Sequence, residues 1–442
     1  MLSFKSVLKR IRSNFLYIPS LYGITAFIFA LISIYLDTYL LNGGQFQRWI
    51  PSPLFINIDL ARTILGSISA ALLTMTTITF STILVVLTTY ISNFSPRTLQ
   101  NFISDPNTQR VLGFFVAGII YSILLLLLLQ ESDTVTQFIS PSFAVFFAIL
   151  CIFVFVFFIH HVSSWIQVSS LLHYITQQSM KIIENDLTDE KDVQKDSPWE
   201  DWEGEDIKHI TPRRMTTDHS GYIQQIDIKG LVEQASKDDC IVRINTKISE
   251  YIESGGSYLS LWELSKPCDK DSYKHHITIG PEKSSSDTIE LSLVKIVEIA
   301  VRALSPGIND PNTAINCINN LGKILAKLGN KHLPRSYHND KDRNLRVIMD
   351  KPTFSDYLYK CFAQIRHYGF QDISVLASGI HAFILIAETN TDDIKEEVWE
   401  FTEYVIEGID TDNLLSLDKR YINEQLQTLA TACSHRESFY KL

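Results

Sequence analysis

The stretch TILGSISAALLTMTTITFSTILVVLTTYISNFSP, residues 63–96, decides the fold of this chain because it runs for 34 residues without a charged side chain. A segment in lipid must satisfy its own backbone hydrogen bonds, so this run is predicted to be a membrane-spanning helix. As a helix it measures about 50 Å, which exceeds the roughly 30 Å hydrocarbon core of a bilayer. The helix is therefore expected to tilt or to project beyond the lipid.

Three further segments have the length and apolarity of a membrane span. A bilayer core requires about 20 apolar residues in helical form. The four predicted spans are about Ile18–Leu36, a part of Thr63–Tyr90, Val111–Leu129 and about Phe143–Trp165. No small-residue cleavage site follows the first span, so we interpret it as a membrane helix and not as a cleaved signal.

The short polar segments between the spans predict the orientation. The N-terminal tail has four basic residues and no acid: Lys5, Lys9, Arg10 and Arg12. The connection between the third and fourth spans has Glu131 and Asp133 and no base. Basic residues favour the cytosolic side, so both termini are predicted to be cytosolic. Arg48 and Arg62 in the first loop run against this trend.

Charge separates the chain into two unlike parts. Residues 1–175 contain eight Lys/Arg and five Asp/Glu, whereas residues 176–442 contain 31 Lys/Arg and 44 Asp/Glu. The acidic second part argues against nucleic acid as a partner, because nucleic-acid binding needs clustered basic residues. The six cysteines form no C-x-x-C pair, and no catalytic motif is present. We therefore predict no metal, no cofactor and no enzymatic activity.

The predicted fold class is an α-helical membrane protein with four transmembrane helices, followed by an α+β cytosolic domain. Helical periodicity predicts late helices at Ser355–Gly369, Ile373–Thr389, Asp393–Glu407 and Ile422–Cys433. The predicted regions are a basic cytosolic tail (1–17), the four-helix membrane domain (18–168), a helical stalk (169–187), an acidic linker (188–214), a small β-containing module (215–287) and a mainly helical cytosolic domain (288–442).

Hydroxyl side chains recur along one side of the charge-free stretch. These candidates for pore lining or helix packing are Ser67, Thr74, Thr77, Ser81 and Thr88. Small hydroxyl residues allow helices to pack closely, and they also line water-filled paths. Both interpretations remain open at this point. No charged residue lies in the middle of any predicted span, which disfavours a proton-coupled or ion-pumping carrier.

The tetrapeptide Asp-Pro-Asn-Thr occurs at residues 105–108 and again at residues 310–313. Asp before Pro is typical of a helix start, because the carboxylate caps free N–H groups and Pro needs no donor there. The second copy belongs to a cytosolic motif whose candidate residues are Ser305, Pro306, Gly307, Asn309, Asp310 and Pro311. Helix capping is the favoured interpretation, and anion binding by the helix start is the alternative.

Three residues are candidates for the membrane interface: Arg97, His160 and His161. Neighbouring positions on a helix point in different directions, so the two histidines are poorly placed to bind one metal ion. An interfacial hydrogen bond is favoured over a metal site or a proton relay.

Four strings in the chain resemble one known family. They are Asn93–Arg97 with Leu112-Gly113, His160–Val162 with Ile166-Gln167, Ser220–Gln224, and Arg302–Pro311. Together, and in this order, they resemble the predicted bacterial membrane family called domain of unknown function 2254. The resemblance implies a multi-pass protein of the bacterial plasma membrane, and the family name attaches no activity.

These observations give two functional hypotheses of different classes. The first is a homo-oligomer in the lipid bilayer that forms a passive ion channel with a cytosolic regulatory domain. The alternative is a membrane-anchored sensor or scaffold whose cytosolic domain binds an unidentified protein or small ligand. An enzyme acting at the membrane surface is a third and weaker class, since no catalytic motif supports it.

Overall fold

The computed structural model describes residues 16–40, 51–93, 105–129, 137–165, 167–187, 207–265, 267–281, 288–333, 336–435 and 442. The chain divides into two compact units, Met1–Leu172 and His173–Leu442. Within the described residues, four helices are long and apolar enough to cross a membrane, and all four lie in the first unit. Both sheets with three or more strands lie in the second unit.

The first unit is built from long helices. Its elements are α1 (Tyr17–Tyr35), a π-helical turn (Leu36–Leu40), β1 (Ile56–Asn57), α2 (Ile58–Asn93), α3 (Pro106–Leu128), β2 (Gln137–Phe138) and α4 (Ser140–Trp165). The two short strands pair antiparallel, with Ile56 opposite Phe138. Helix α2 has 36 residues, so it is about 54 Å long and exceeds the thickness of a bilayer core.

Polar caps extend the helices beyond the predicted apolar spans. Helix α3 begins at Pro106 and not at Val111, because the Asp105 side chain accepts a hydrogen bond from the Thr108 backbone N–H. Helix α2 begins before Arg62, and α4 begins at Ser140 and not at Phe143. Hydropathy locates the membrane-facing part of a helix, whereas its ends depend on hydrogen bonding.

Helix α3 is the central helix of the first unit. Half of the residues in the most apolar 18-residue stretch of α3 are buried, compared with 17% in the corresponding stretch of α4. Glycine permits this burial: a Cβ atom at Gly118 would lie 2.7 Å from Leu72 Cδ1, and one at Gly113 would lie 3.0 Å from Tyr22 Cγ. Small residues thus bring α1 and α2 close to α3, as is typical of packed membrane helices.

Helix α5 (Val168–Asp186) occupies most of the predicted stalk. The second half of this helix belongs to the second unit and packs on α9 (Pro311–Gly329). Thr176 Oγ1 donates a hydrogen bond to Asn320 Oδ1 at 3.0 Å, and Lys327 Nζ lies 3.5 Å from Glu184 Oε1. This part of the segment therefore belongs to the fold of the second unit.

The second unit contains two sheets. Their strands are β3 (Arg213–Thr216), β4 (Gly221–Ile226), β5 (Cys240–Ile244), β6 (Tyr251–Ile252), β7 (Ser257–Glu263), β8 (Ile277–Gly280), β9 (Tyr337–Asn339) and β10 (Leu345–Met349). The larger sheet has the order β3-β7-β5-β10-β9, and the smaller one β6-β4-β8. Strands β5 and β10 are parallel, with Val347 opposite Val242, so the stretch predicted as mainly helical contributes two strands to the sheet.

The second unit also contains helices, some between the strands in sequence and some after the last strand. They are α6 (Ile228–Asp238), α7 (Lys270–Lys274), α8 (Ile289–Ala303), α9, α10 (Phe354–Gly369), α11 (Ile373–Thr389), α12 (Asp392–Glu407) and α13 (Ser416–Ala432). The predicted helix at Ile373–Thr389 has the observed bounds, whereas the predicted helix Ile422–Cys433 begins six residues earlier, at Ser416. Ile228 opens α6, because the Asp227 side chain caps that helix.

The six cysteines are buried and none forms a disulfide. Burial raises the pKa of the Cys240 thiol to about 12. Because the thiolate is the reactive form, such a thiol is a poor nucleophile at neutral pH.

Helices α9 and α11 approach most closely at Gly322, and this contact supports a stability test. A Cβ atom at Gly322 would lie 2.8 Å from the Cβ atom of Ala382. We expect Gly322→Ala to overpack this contact and to destabilise the fold by about 1–3 kcal/mol. Thermal unfolding of the full-length protein in detergent measures the effect. The control is Gly307→Ala at a glycine with open space around it, which should leave the midpoint unchanged; equal midpoints for both variants contradict the expected close contact.

Candidate functional site

The hydroxyl stripe, defined as Ser67, Thr74, Thr77, Ser81 and Thr88, lies on the side of α2 that faces away from the other described helices of the first unit. All five residues are exposed. The opposite side of α2 is buried and consists of Ala61, Leu65, Leu72, Thr76, Thr79, Ile83 and Val86. At about 100° per residue, the centres of the two sets are on opposite sides of the helix. Packing among the described residues of the first unit therefore does not account for the stripe.

Most hydroxyls of the stripe donate their proton to the backbone of α2 itself. Thr74 Oγ1 donates to the Ala70 carbonyl at 2.9 Å, and Thr77 Oγ1 donates to the Leu73 carbonyl at 2.9 Å. Ser67 and Thr88 make the same bond to the carbonyl four residues earlier, each at 2.8 Å. A hydroxyl that has used its proton still has lone pairs that accept hydrogen bonds. The stripe thus presents mainly acceptor oxygens to its surroundings.

Large apolar side chains flank the stripe along the same helix. Leu73 is 59% exposed, Leu84 is 63% exposed and Val85 is 59% exposed. The outward face of α2 therefore consists of a narrow polar strip between apolar ridges. An apolar surface of this kind suits lipid or a second membrane helix, whereas the strip itself suits water or close helix contact.

Buried Asp37 joins the first and fourth candidate membrane-spanning helices, a feature that the sequence analysis missed. The residue is 2% exposed and lies in the π-helical turn after α1. Its Oδ1 atom accepts a hydrogen bond from the Ile139 N–H at 3.0 Å, and its Oδ2 atom accepts one from the Ser140 N–H at 3.2 Å. A carboxylate is thus placed at the first free N–H groups of α4. The signal for this contact in the sequence is a single acidic residue at the end of an apolar run.

Tyr121 supplies a second polar link beside Asp37. Its hydroxyl lies 3.1 Å from Ser33 Oγ and 3.2 Å from the Ser140 carbonyl oxygen. Tyr121, Ser33 and Ser140 are all buried. The helices α1, α3 and α4 therefore meet in a hydrogen-bonded polar cluster at one end of the bundle.

Asp105 joins α3 to α4 through His161. Asp105 Oδ2 accepts hydrogen bonds from Thr108 N–H and Thr108 Oγ1, both at 2.9 Å, and lies 2.8 Å from His161 Nε2. The His161 ring also stacks on Phe157, with 5.7 Å between ring centroids. Burial raises the pKa of Asp105, but the hydrogen bonds from His161 and Thr108 outweigh this effect and hold it below the ordinary value. The pair thus favours an ionised carboxylate at the start of α3.

The other two interface candidates do not join this contact. His160 is exposed, in contrast to the half-buried His161. Arg97 lies outside the described residues. In the part of the chain that the structure describes, no group of three or more His, Cys, Asp or Glu side chains is placed to bind a metal ion.

The cytosolic motif forms a tight connection between α8 and α9. The Asp310 side chain accepts hydrogen bonds from Thr313 N–H at 3.1 Å and Thr313 Oγ1 at 2.6 Å, which repeats the cap made by Asp105. Ser305 Oγ donates to the Arg302 carbonyl, and Asn309 has a φ of 49°. Pro311 is the first residue of α9, and Pro306 and Gly307 are exposed. Helix capping, the favoured interpretation of both Asp-Pro-Asn-Thr copies, is confirmed.

Comparison with known proteins places the sequence among membrane proteins without an assigned activity. The sequence model of one family, described as "Predicted membrane protein (DUF2254)", matches residues 12–384. Uncharacterized proteins of Mycobacterium tuberculosis (strain H37Rv) and Mycobacterium bovis are each 28% identical over 352 residues, which is 75% of this chain and 64% of each relative. The chain thus spans less than two thirds of these relatives. No solved structure matches.

The Asp37 contact leads to a prediction about stability. Asp37→Asn keeps the size of the side chain but replaces one acceptor oxygen with a donor, so one N–H at the start of α4 loses its partner. We expect a loss of about 1–3 kcal/mol in stability, measured by thermal unfolding in detergent. Asp59→Asn, at an exposed acid in the first turn of α2, is the matched control and should change little. An unchanged midpoint for Asp37→Asn counts against the cap.

The Asp105 and His161 contact is testable by a double-mutant cycle. Because the two side chains are in direct contact, we expect Asp105→Asn and His161→Phe to be non-additive, with a coupling of about 0.5–3 kcal/mol in thermal unfolding. Phe retains the stacking on Phe157. The control cycle combines Asp105→Asn with His160→Phe, at the exposed neighbour, and should be additive. Additivity in both cycles contradicts an energetically significant Asp105–His161 contact.

Proposed function

The chain belongs to the DUF2254 family of predicted membrane proteins, and from this premise we propose that it is a homo-oligomeric passive channel for small cations. In this proposal one α2 helix from each subunit contributes its hydroxyl stripe to a shared water-filled path. The second unit is then a cytosolic regulatory domain, and both termini are cytosolic. The observation that carries the proposal is the exposure of the stripe on the side of α2 opposite its buried side.

The chemistry of the stripe supports a preference for cations. Thr74, Thr77 and Thr88 donate their protons to backbone carbonyls of α2 and keep acceptor lone pairs on the outward side. Acceptor oxygens stabilise cations and their hydration water in the way that carbonyl and hydroxyl oxygens do in other pores. A path of this kind lacks a fixed charge, so it supports flow along a gradient and not coupled transport.

A shared path requires more than one copy of the chain. In one subunit the stripe faces outward, so it encloses nothing by itself. The exposed residues Thr63 and Ala70 lie on the same side of the helix as the stripe and are small, and small residues permit close approach of helices from neighbouring subunits. The length of α2 allows the path to continue past the lipid at one or both ends.

The membrane-anchored sensor or scaffold is the second candidate. Its supporting observation is that the same backbone hydrogen bonds leave the stripe hydroxyls satisfied without any contact to water. The stripe then serves only for helix packing between copies of the chain. The second unit alone carries the function, by binding a partner. Flux measurements separate the two candidates.

The channel proposal predicts ion flux through purified protein in liposomes. Wild-type protein should conduct K⁺, and Thr74→Leu and Ser81→Leu should each lower the flux by about tenfold or more, because leucine removes an acceptor and narrows the path. Thr77→Val, which is nearly isosteric, should lower the flux without changing the oligomer. The matched control is Thr82→Leu. Thr82 makes the same bond to the backbone of α2, but it is half-buried and lies off the stripe.

Two results oppose the channel proposal. A well-folded oligomer that shows no cation flux supports the scaffold instead. The proposal is also wrong if the protein is a monomer by native mass measurement in lipid nanodiscs, because one outward-facing stripe cannot enclose a path. Equal effects of Thr74→Leu and Thr82→Leu on flux exclude the stripe as the lining.

A further inference from the structure

A cavity of about 590 Å³ lies at the carboxyl ends of the parallel strands β5 and β10. Arg243, on β5, lines the cavity together with the residues 244–250 that follow it, and Asp350 follows β10 directly. Ligands of open α/β sheets bind at the carboxyl ends of parallel strands, where the connecting loops leave a crevice. The volume is within the range of small-molecule sites, which is about 300–1,000 Å³.

The loop that lines the cavity is held in shape by its own hydrogen bonds. Glu250 Oε2 accepts hydrogen bonds from the Lys247 N–H at 2.7 Å and from Thr246 Oγ1 at 3.1 Å. The Ser249 N–H donates to the Ile223 carbonyl at 2.8 Å, and Ser249 has a φ of 68°. A wall fixed in this way reduces the entropy cost of ligand binding.

Two basic side chains of the cavity lining, Arg243 and Lys247, have hydrogen-bond donors without an acceptor in the described part of the chain. Arg243 uses Nη2 to bind Asp350, at 3.1 Å to Oδ1 and 3.3 Å to Oδ2. Among the residues that the structure describes, the ammonium group of Lys247 has no ion-pair partner, and Arg243 Nε and Nη1 have no acceptor. Glu250 Oε2 is engaged by the loop, and the carboxylates of Glu250 and Asp350 offset the two positive charges of the lining. A group that binds both Lys247 and Arg243 must accept hydrogen bonds, and these bonds are strongest when that group is an anion.

We propose that this cavity binds a small anion bearing a terminal phosphate group, held by the Lys247 ammonium and the Arg243 guanidinium. Arginine binds phosphate through two parallel N–H groups, and lysine adds a mobile point charge. Asp350 competes for the same guanidinium, because its carboxylate accepts a hydrogen bond from Arg243 Nη2. Binding therefore exchanges one acceptor of Arg243 for another.

This site goes beyond the proposed channel and does not depend on it. All of its residues belong to the second unit, and the binding can be measured without ion flux. The phosphate group has two possible sources, a soluble phosphate ester or the headgroup of a lipid. Both sources present the same terminal phosphate to Lys247 and Arg243, so the experiment needs an arm for each.

The test is titration of the full-length protein in detergent with inorganic phosphate and with glycerol 3-phosphate, followed by calorimetry and thermal shift. A parallel arm uses nanodiscs with and without phosphatidic acid. Lys247→Gln should weaken binding by about tenfold, since it removes a full charge from the site. Asp350→Asn should strengthen binding several-fold, because it removes the competing charge. Lys229→Gln, at an exposed lysine of α6 outside the cavity, is the control and should bind like the wild type.

Opposite shifts for Lys247→Gln and Asp350→Asn establish the site, and a response confined to phosphatidic acid nanodiscs identifies the lipid headgroup as its source. The proposal is overturned if no probe binds the wild type at millimolar concentration. It is equally overturned if Lys247→Gln and Lys229→Gln weaken binding to the same extent, because the effect is then general electrostatic attraction.

Discussion

The absence of water in a bilayer core is the constraint on which the structure of the first unit depends, because every polar backbone group there needs a partner from the protein. Asp37 meets this need at the start of α4, and Asp105, which caps the backbone of α3 at Thr108, binds a side chain of α4. Asp37 accepts hydrogen bonds from the first N–H groups of that helix, and Asp105 holds His161 near its last turn. Both carboxylates lie where an apolar helix ends and both are supplied by another part of the chain. They fix the ends of α4, whereas apolar packing between its ends leaves its rotation and depth less specified.

The same constraint explains why the hydroxyl stripe is relevant to contacts between copies of the chain and not to packing within one copy. Threonine in a membrane helix can satisfy its hydroxyl on the carbonyl one turn earlier, so a hydroxyl costs little on any face of α2. The buried Thr76 and Thr79 use this bond inside the bundle, and Thr74 and Thr77 use it outside. Burial of two threonines against α2's own neighbours shows that packing in this protein tolerates hydroxyls. What distinguishes the stripe is that hydroxyls recur along a side of α2 that the described residues of the first unit leave exposed.

Local pattern predicted much of this architecture, and contacts between distant residues account for what it missed. Apolar length located the four helices that are long and apolar enough to cross a membrane, and Asp-Pro located the starts of α3 and α9. The partner of Asp37 is 102 residues away, and β10 pairs with β5 across about the same separation. Periodicity carries no information about such pairings, so the parallel strands and the cavity at their ends were not predicted. The stripe residues were recognised from spacing alone, but their direction required the buried face of α2 to be known.

A passive path through a membrane dissipates gradients unless its open state is controlled, and a ligand can exert that control only through different affinities for two states. The Arg243–Asp350 ion pair is a suitable element for such a difference. It links the end of β5 to the residue after β10, and both partners are partly exposed, so the pair itself contributes little to stability. In the proposed site, an anion that takes Arg243 from Asp350 would exchange one weak contact for another and would free the segment that leads into α10. The weak ion pair at the carboxyl ends of β5 and β10 is therefore better suited to regulation than the buried pair between Arg346 on β10 and Asp340. That buried pair holds the pKa of Asp340 at about 2 against the opposing effect of burial.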